Sequence, residues 1–163
     1  HPFTGVLFAG LMITSQGPKL IEYNIRFGDP ECQVVMRMME SDLGRLLYAA
    51  ATGMLDAAPA PTFSTAPTVN VVMCANGYPG SYEKGSSIKG VEAASGRGGV
   101  IVFHAGTRAG EDGQLQASGG RVLNITAQAN TLSAAVARAY AAIDEDINWP
   151  EGFCRRDIAW RAL

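Results

Sequence analysis

Glu22 and Asn24 stand two residues apart in Lys19-Leu20-Ile21-Glu22-Tyr23-Asn24-Ile25, a run of β-prone residues with few polar ones among them. Side chains alternate between the two faces of a strand, so Leu20, Glu22 and Asn24 fall on one face and Ile21, Tyr23 and Ile25 on the other. Two hard oxygen donors then point the same way, about 7 Å apart along the strand. Arg26, a breaker at Phe27-Gly28 and the carboxylates Asp29 and Glu31 follow immediately. A carboxylate, an amide oxygen and a guanidinium on one short arc suit magnesium-phosphate chemistry. Mg2+ takes one or two protein oxygens and fills its octahedron with water and nucleotide phosphate, so Glu22 and Asn24 need not form a cage. Arg26 offers a fixed bidentate fork to a transferring phosphoryl group or an acyl phosphate, or else a salt bridge to Asp29 or Glu31. Asp29 suits a substrate amine or the N-cap of a helix. Spacing alone also fits a solvated strand face.

The elements that must hold these residues can be read around them. Gly5 to Thr14 is apolar with small residues, and Gly17-Pro18 signals a turn, so the Glu22 strand is predicted to be the second arm of a β-hairpin. Pro30 suits the first turn of a helix, with Asp29 as N-cap and Glu31 at its positive end, running through Met38. Gly28 is expected to allow a backbone conformation closed to larger residues. A second helix is predicted from Ser41-Asp42 to Gly53, on the spacing of Leu43, Leu46, Leu47 and Ala50. Pro59, Pro61 and Pro67, among Ala, Ser and Thr, mark a linker and a domain boundary. Beyond it, strands are predicted at Val69 to Ala75, Val100 to Phe103 and Arg121 to Ala127. A helix capped by Asn130 should present Leu132, Val136, Ala139, Tyr140 and Ile143 as one apolar stripe. A helix on a small sheet is α+β architecture.

Composition bounds the rest. The 163 residues are 47% apolar and 17% charged, which allows one ordinary domain or two small ones with a core. A formal charge of -2 without a Lys/Arg cluster argues against nucleic acid as a partner. No run is apolar enough to cross a bilayer, so a cytoplasmic protein is expected. Cys32, Cys74 and Cys154 are widely spaced and lack a C-x-x-C pair, which predicts reduced thiols. The chain opens His1-Pro2-Phe3 rather than with Met, as a fragment would. His104 follows a strand without metal-partner spacing and reads as structural. Gly96-Arg97-Gly98-Gly99 and Ser118-Gly119-Gly120-Arg121 read as turns rather than phosphate loops.

The run Glu22-Tyr23-Asn24-Ile25-Arg26-Phe27-Gly28-Asp29-Pro30-Glu31-Cys32-Gln33 resembles the signature of the glycinamide ribonucleotide synthetases, the phosphoribosylamine-glycine ligases. Pro2-Phe3-Thr4-Gly5-Val6-Leu7 with Ala9-Gly10-Leu11-Met12, Gly77-Tyr78-Pro79-Gly80-Ser81-Tyr82-Glu83-Lys84-Gly85, Phe103-His104-Ala105-Gly106-Thr107, Ser118-Gly119-Gly120-Arg121-Val122-Leu123 and the Arg155 to Leu163 tail resemble the same family in the same order. The resemblance covers essentially the whole chain. It implies that residues 1–58 complete the second half of an ATP-grasp domain, an antiparallel sheet with helices. Residues 59–68 are then the linker, and 69–163 a small β-rich C-terminal domain with one long helix. It further implies ATP-dependent joining of glycine to 5-phosphoribosylamine through a glycyl phosphate, with Mg2+ or Mn2+ as cofactor and ATP as co-substrate. Glu22 and Asn24 match the family's metal ligands, and Arg26 and Asp29 become its candidate catalytic residues. The partner implied is the N-terminal half of the same enzyme, which carries most of the ATP site. Arg37 and Met38 depart from the family pattern, where Pro and Arg are usual. Another ATP-grasp ligase and a folded non-catalytic remnant are the alternatives.

Overall fold

The computed structural model describes residues 2–163, so the expectation about His1 lies outside it. The chain divides into two compact units, at residues 1–64 and 65–163.

In the first unit, β1 (Phe8–Thr14) and β2 (Gly17–Asn24) form an antiparallel hairpin. The turn is at Ser15-Gln16, not at Gly17-Pro18 as predicted. Thr14 explains the difference: its hydroxyl donates to the Gly17 carbonyl (2.8 Å) and accepts from the Gln16 amide (3.2 Å), closing the loop ahead of Gly17. Pro18 therefore lies in a ladder, which a two-stranded sheet tolerates because each strand is an edge. After a bend at Ile25-Arg26 the chain enters α1 (Glu31–Met38). Its cap position falls on Pro30, with φ of -105° and no side-chain hydrogen bond, rather than on Asp29. That φ is outside the helical range, so the helix begins one residue later than the sequence implied. α2 (Leu43–Ala51) starts as expected, the Asp42 carboxylate accepting from the Arg45 amide at 3.1 Å. A 3-10 turn at Leu55–Ala57 precedes the proline-rich stretch.

The second unit is built on a four-stranded antiparallel sheet. Its strands are β3 (Thr68–Ala75), β4 (Val100–His104), β7 (Arg121–Gln128) and β8 (Gly152–Cys154), in the order β4-β7-β3-β8. A small hairpin, β5 (Thr107–Ala109) with β6 (Leu115–Ala117), and the helix α3 (Val91–Gly96) lie between β4's neighbours in sequence. β7 is buried at six consecutive positions from Val122 to Ala127, so both faces of the sheet are covered there. Asn124 and Thr126 share that burial and are satisfied by Asn70. Its amide donates to Asn124 Oδ1 at 3.0 Å, and the Thr126 hydroxyl donates to Asn70 Oδ1 at 2.7 Å.

α4 (Leu132–Ala141) packs on β3 and β7. Thr131 caps it, accepting from the Ala134 amide at 3.2 Å, where Asn130 was expected. The stripe it buries is centred on Ala135 and Ala139, with Leu132, Val136 and Tyr140 only half-buried. Alanines let the helix approach the sheet closely, and the larger residues flank the contact. A π turn, Ala142–Asp146, continues α4, and Arg97 ties it down through ion pairs with Asp146 and Glu145. The Arg97 guanidinium holds the Asp146 carboxyl below its ordinary range. Gly90 turns with φ of +82°, and its missing Cβ leaves room for the Asp146 carbonyl to press against it.

Ala159 has φ of +67° without being glycine. The left-handed region disfavours a Cβ, so Ala159→Gly is expected to stabilise the second unit by about 1 kcal/mol. The check is a higher urea midpoint at unchanged slope.

Candidate functional site

β2 and the bend after it carry the residues singled out above. Glu22 is exposed and Asn24 half-buried near the end of β2. The Asn24 Nδ2 donates to Glu22 Oε1 at 2.9 Å. Arg26 Nη2 donates to Asn24 Oδ1 at 3.2 Å, while its Nη1 donates to the Phe27 carbonyl at 2.9 Å. The result is a solvent-facing row of carboxylate, amide and guanidinium. Strand alternation puts Glu22 and Asn24 on one side, and Arg26, in the bend after β2, joins them through its hydrogen bond to Asn24.

Asp29 is exposed in the turn before α1. Its charge, after burial, contributes to pushing the Cys32 thiol up. Glu31 opens α1, and its side chain folds back over Gly28. Gly28 does not have the positive φ anticipated for it; a Cβ there would collide with the Glu31 side chain, so space is what requires glycine. Arg37 sits in the last turn of α1, where a cation complements the negative helix end, and its Nε is buried without a hydrogen-bond partner. Gln33 Oε1, one helical turn earlier, is in the same state.

The donor set suits a hard divalent cation. Glu22 supplies an exposed carboxylate of which one oxygen accepts from Asn24. The Asn24 carbonyl oxygen has a second lone pair beyond the one given to Arg26. No group of three or more His, Cys, Asp or Glu capable of holding a metal exists among the described residues. Structural zinc would need such a group, but Mg2+ would not.

Other features noted in the sequence are held by local partners. His104 Nδ1 is 3.1 Å from the Thr107 hydroxyl. Arg155 grips Asp157 with two hydrogen bonds of 2.9 and 2.7 Å, and Arg156 grips Asp144. A cavity of about 500 Å³ opens between α2 and the stretch after it, lined by Asp42, Arg45, Leu46, Ala49, Met54 and Pro59 among others. None of the residues from Glu22 to Glu31 lines it. No helix among the described residues is long and apolar enough to cross a membrane.

Comparison with known proteins agrees with the sequence motifs along the whole chain. Residues 68–161 match the model for the phosphoribosylglycinamide synthetase C domain, and residues 1–32 match that family's ATP-grasp (A) domain. The phosphoribosylamine-glycine ligase of Mesorhizobium japonicum is 59% identical over 162 residues, which are 99% of this chain and 37% of that protein. The chloroplastic phosphoribosylamine-glycine ligase of Arabidopsis thaliana is 55% identical, over 99% of this chain and 30% of its own length. The crystal structure of the Thermotoga maritima phosphoribosylamine-glycine ligase superposes with a TM-score of 0.77 at 31% identity, covering 93% of this chain and 36% of the other. N5-carboxyaminoimidazole ribonucleotide synthetase from the same organism shares the fold, with a TM-score of 0.59 at 14% identity over 89% of this chain and 37% of that one. The chain thus spans about a third of the length of the relatives it matches. With residues 68–161 matched by the C-domain model and a solved relative superposing over 93% of the chain at a TM-score of 0.77, the chain belongs to the phosphoribosylglycinamide synthetase family.

Proposed function

We propose that the chain is the C-terminal portion of a cytoplasmic phosphoribosylamine-glycine ligase. In the reaction, ATP phosphorylates the carboxylate of glycine, and the amine of 5-phosphoribosylamine then displaces phosphate to give glycinamide ribonucleotide, ADP and phosphate. Phosphorylation turns an unreactive carboxylate into an electrophile. Holding the amine in line converts its attack into an intramolecular event. The observation that carries this reading is the exposed Glu22-Asn24-Arg26 row inside the run that matches the family's signature.

Glu22 and Asn24 are the residues that would hold Mg2+ or Mn2+. When bound, the ion neutralises charge on the transferring phosphoryl group. Arg26, now bonded to Asn24 and the Phe27 carbonyl, would swing its fork to phosphoryl oxygens, a change that trades neutral acceptors for charged ones. Asp29, an exposed carboxylate at the turn after the row, would take the ammonium or amine of a substrate.

In domain terms, residues 1–58 would complete an ATP-grasp domain, 59–68 serve as linker and 69–163 form the C domain. The partner is the preceding portion of the same enzyme. Apolar residues on the hairpin support this: Ile13, Ile21, Tyr23 and Ile25 are 76%, 64%, 61% and 73% exposed. A two-stranded sheet with that much apolar surface is covered in a working protein. The test combines this chain with the N-terminal portion of the Mesorhizobium relative. ADP release dependent on both glycine and phosphoribosylamine is expected from the pair and not from the chain alone. Silence from the well-folded pair refutes the assignment.

A further inference from the structure

Gly10 lies directly opposite Glu22 in the hairpin ladder. The register slips just after this pair: Leu11 faces Leu20, which leaves Ile21 as an extra residue in β2. A bulge of this kind bends its strand and re-aims the neighbouring side chains. A Cβ on Gly10 would sit 3.3 Å from Glu22 Cγ, and 3.6 and 3.9 Å from the Glu22 carbonyl oxygen and amide nitrogen. The Glu22 side chain therefore runs across the face of β1 at the one position where no side chain stands in its way. Gly10 does not have a positive φ, so its backbone would accept any residue. Space over the strand, rather than conformational freedom, is what glycine provides at this position.

We propose that Gly10 is a positioning residue for Glu22, its bare Cα setting the carboxylate beside Asn24 in the geometry that a small divalent cation requires. The inference rests on the metal-ligand reading of Glu22 and Asn24 given above. A methyl group at position 10 moves Glu22 Cγ by a few tenths of an ångström. A β-branched side chain forces the carboxylate into another rotamer and breaks its 2.9 Å hydrogen bond from Asn24. The consequence differs between ions. Mg2+ needs near-ideal octahedral geometry at about 2.0–2.1 Å, whereas Ca2+ accepts looser, more variable shells at about 2.3–2.6 Å. Displacing one ligand hence penalises the smaller ion more.

The experiment titrates this chain, assembled with the N-terminal portion of the Mesorhizobium relative so that the hairpin is covered, with Mg2+ and separately with Ca2+, following the side-chain amide resonance of Asn24 by NMR in the wild type and in Gly10→Ala, Gly10→Val and Glu22→Gln. Gly10→Val is expected to weaken Mg2+ about tenfold, the scale seen when the support of a metal ligand is removed. Ca2+ is expected to weaken by less than about threefold, with Gly10→Ala intermediate for both ions. A general loss of hairpin structure would weaken the two ions alike. Equal weakening, or unchanged Mg2+ affinity in Gly10→Val, overturns the role of Gly10. Glu22→Gln should remove the response to both ions; if it does not, the metal-ligand assignment itself has failed and this inference fails with it.

Discussion

If the proposed function holds, Glu22→Gln in this chain, assembled with the N-terminal portion of the Mesorhizobium ligase, is expected to cut kcat about a thousandfold, since an ion's contribution of several kcal/mol to transition-state charge translates at about 1.4 kcal/mol per tenfold. The substitution removes the negative charge and little else. Gln keeps an acceptor oxygen for the Asn24 amide, and the position is exposed. Stability should therefore stay within about 0.5 kcal/mol of wild type, as for other surface changes. A thermal midpoint measured alongside the assay separates the two effects. Turnover near the wild-type value would show that Glu22 does not hold the ion, and the roles given to Asn24 and Arg26 would need a different basis.

Leu123→Ala is expected to destabilise the second unit by about 3–4 kcal/mol, the range for removing a large aliphatic side chain from a packed core. Leu123 is completely buried in the central strand β7, opposite Met73 on β3 and His104 on β4. β7 is held by ladders on both sides and α4 packs on β3 and β7, which limits collapse into the space. Urea unfolding of the whole chain measures the loss. A shift under about 1 kcal/mol would mean that the core relaxes around the deletion.

What could be read from the sequence was local. The face shared by Glu22 and Asn24 needs only strand alternation, and Asp42 announces α2 because capping acts within three residues. The long strands β3, β4 and β7 were placed to within a residue or so because apolar runs between turn residues define them. Strands β5, β6 and β8, three residues each, are too short to display a period, and α3 is a six-residue turn of small residues. Distant partnerships left no local trace. Asn70 meets Asn124 and Thr126 across more than fifty residues, and Arg97 meets Asp146 across 49. The caps of α1 and α4 each fall one residue past the expected Asp29 and Asn130, on Pro30 and on Thr131. Within the candidate site, Gly10 is legible only as part of the family-like run Ala9-Gly10-Leu11-Met12; its relation to Glu22 depends on the hairpin register and on a bulge that alternation cannot foresee.

All the fully buried apolar side chains among the described residues lie between Val69 and Trp149, and the helices of the first unit contain none. A calorimetric scan of this chain would therefore record a single endotherm belonging to residues 65–163. In heavy water, amides of the hairpin would take up deuterium at the earliest time points while those of β7 stayed protonated for hours. Covering the hairpin would show itself first as slowed labelling of residues 8–24, before any turnover could be detected.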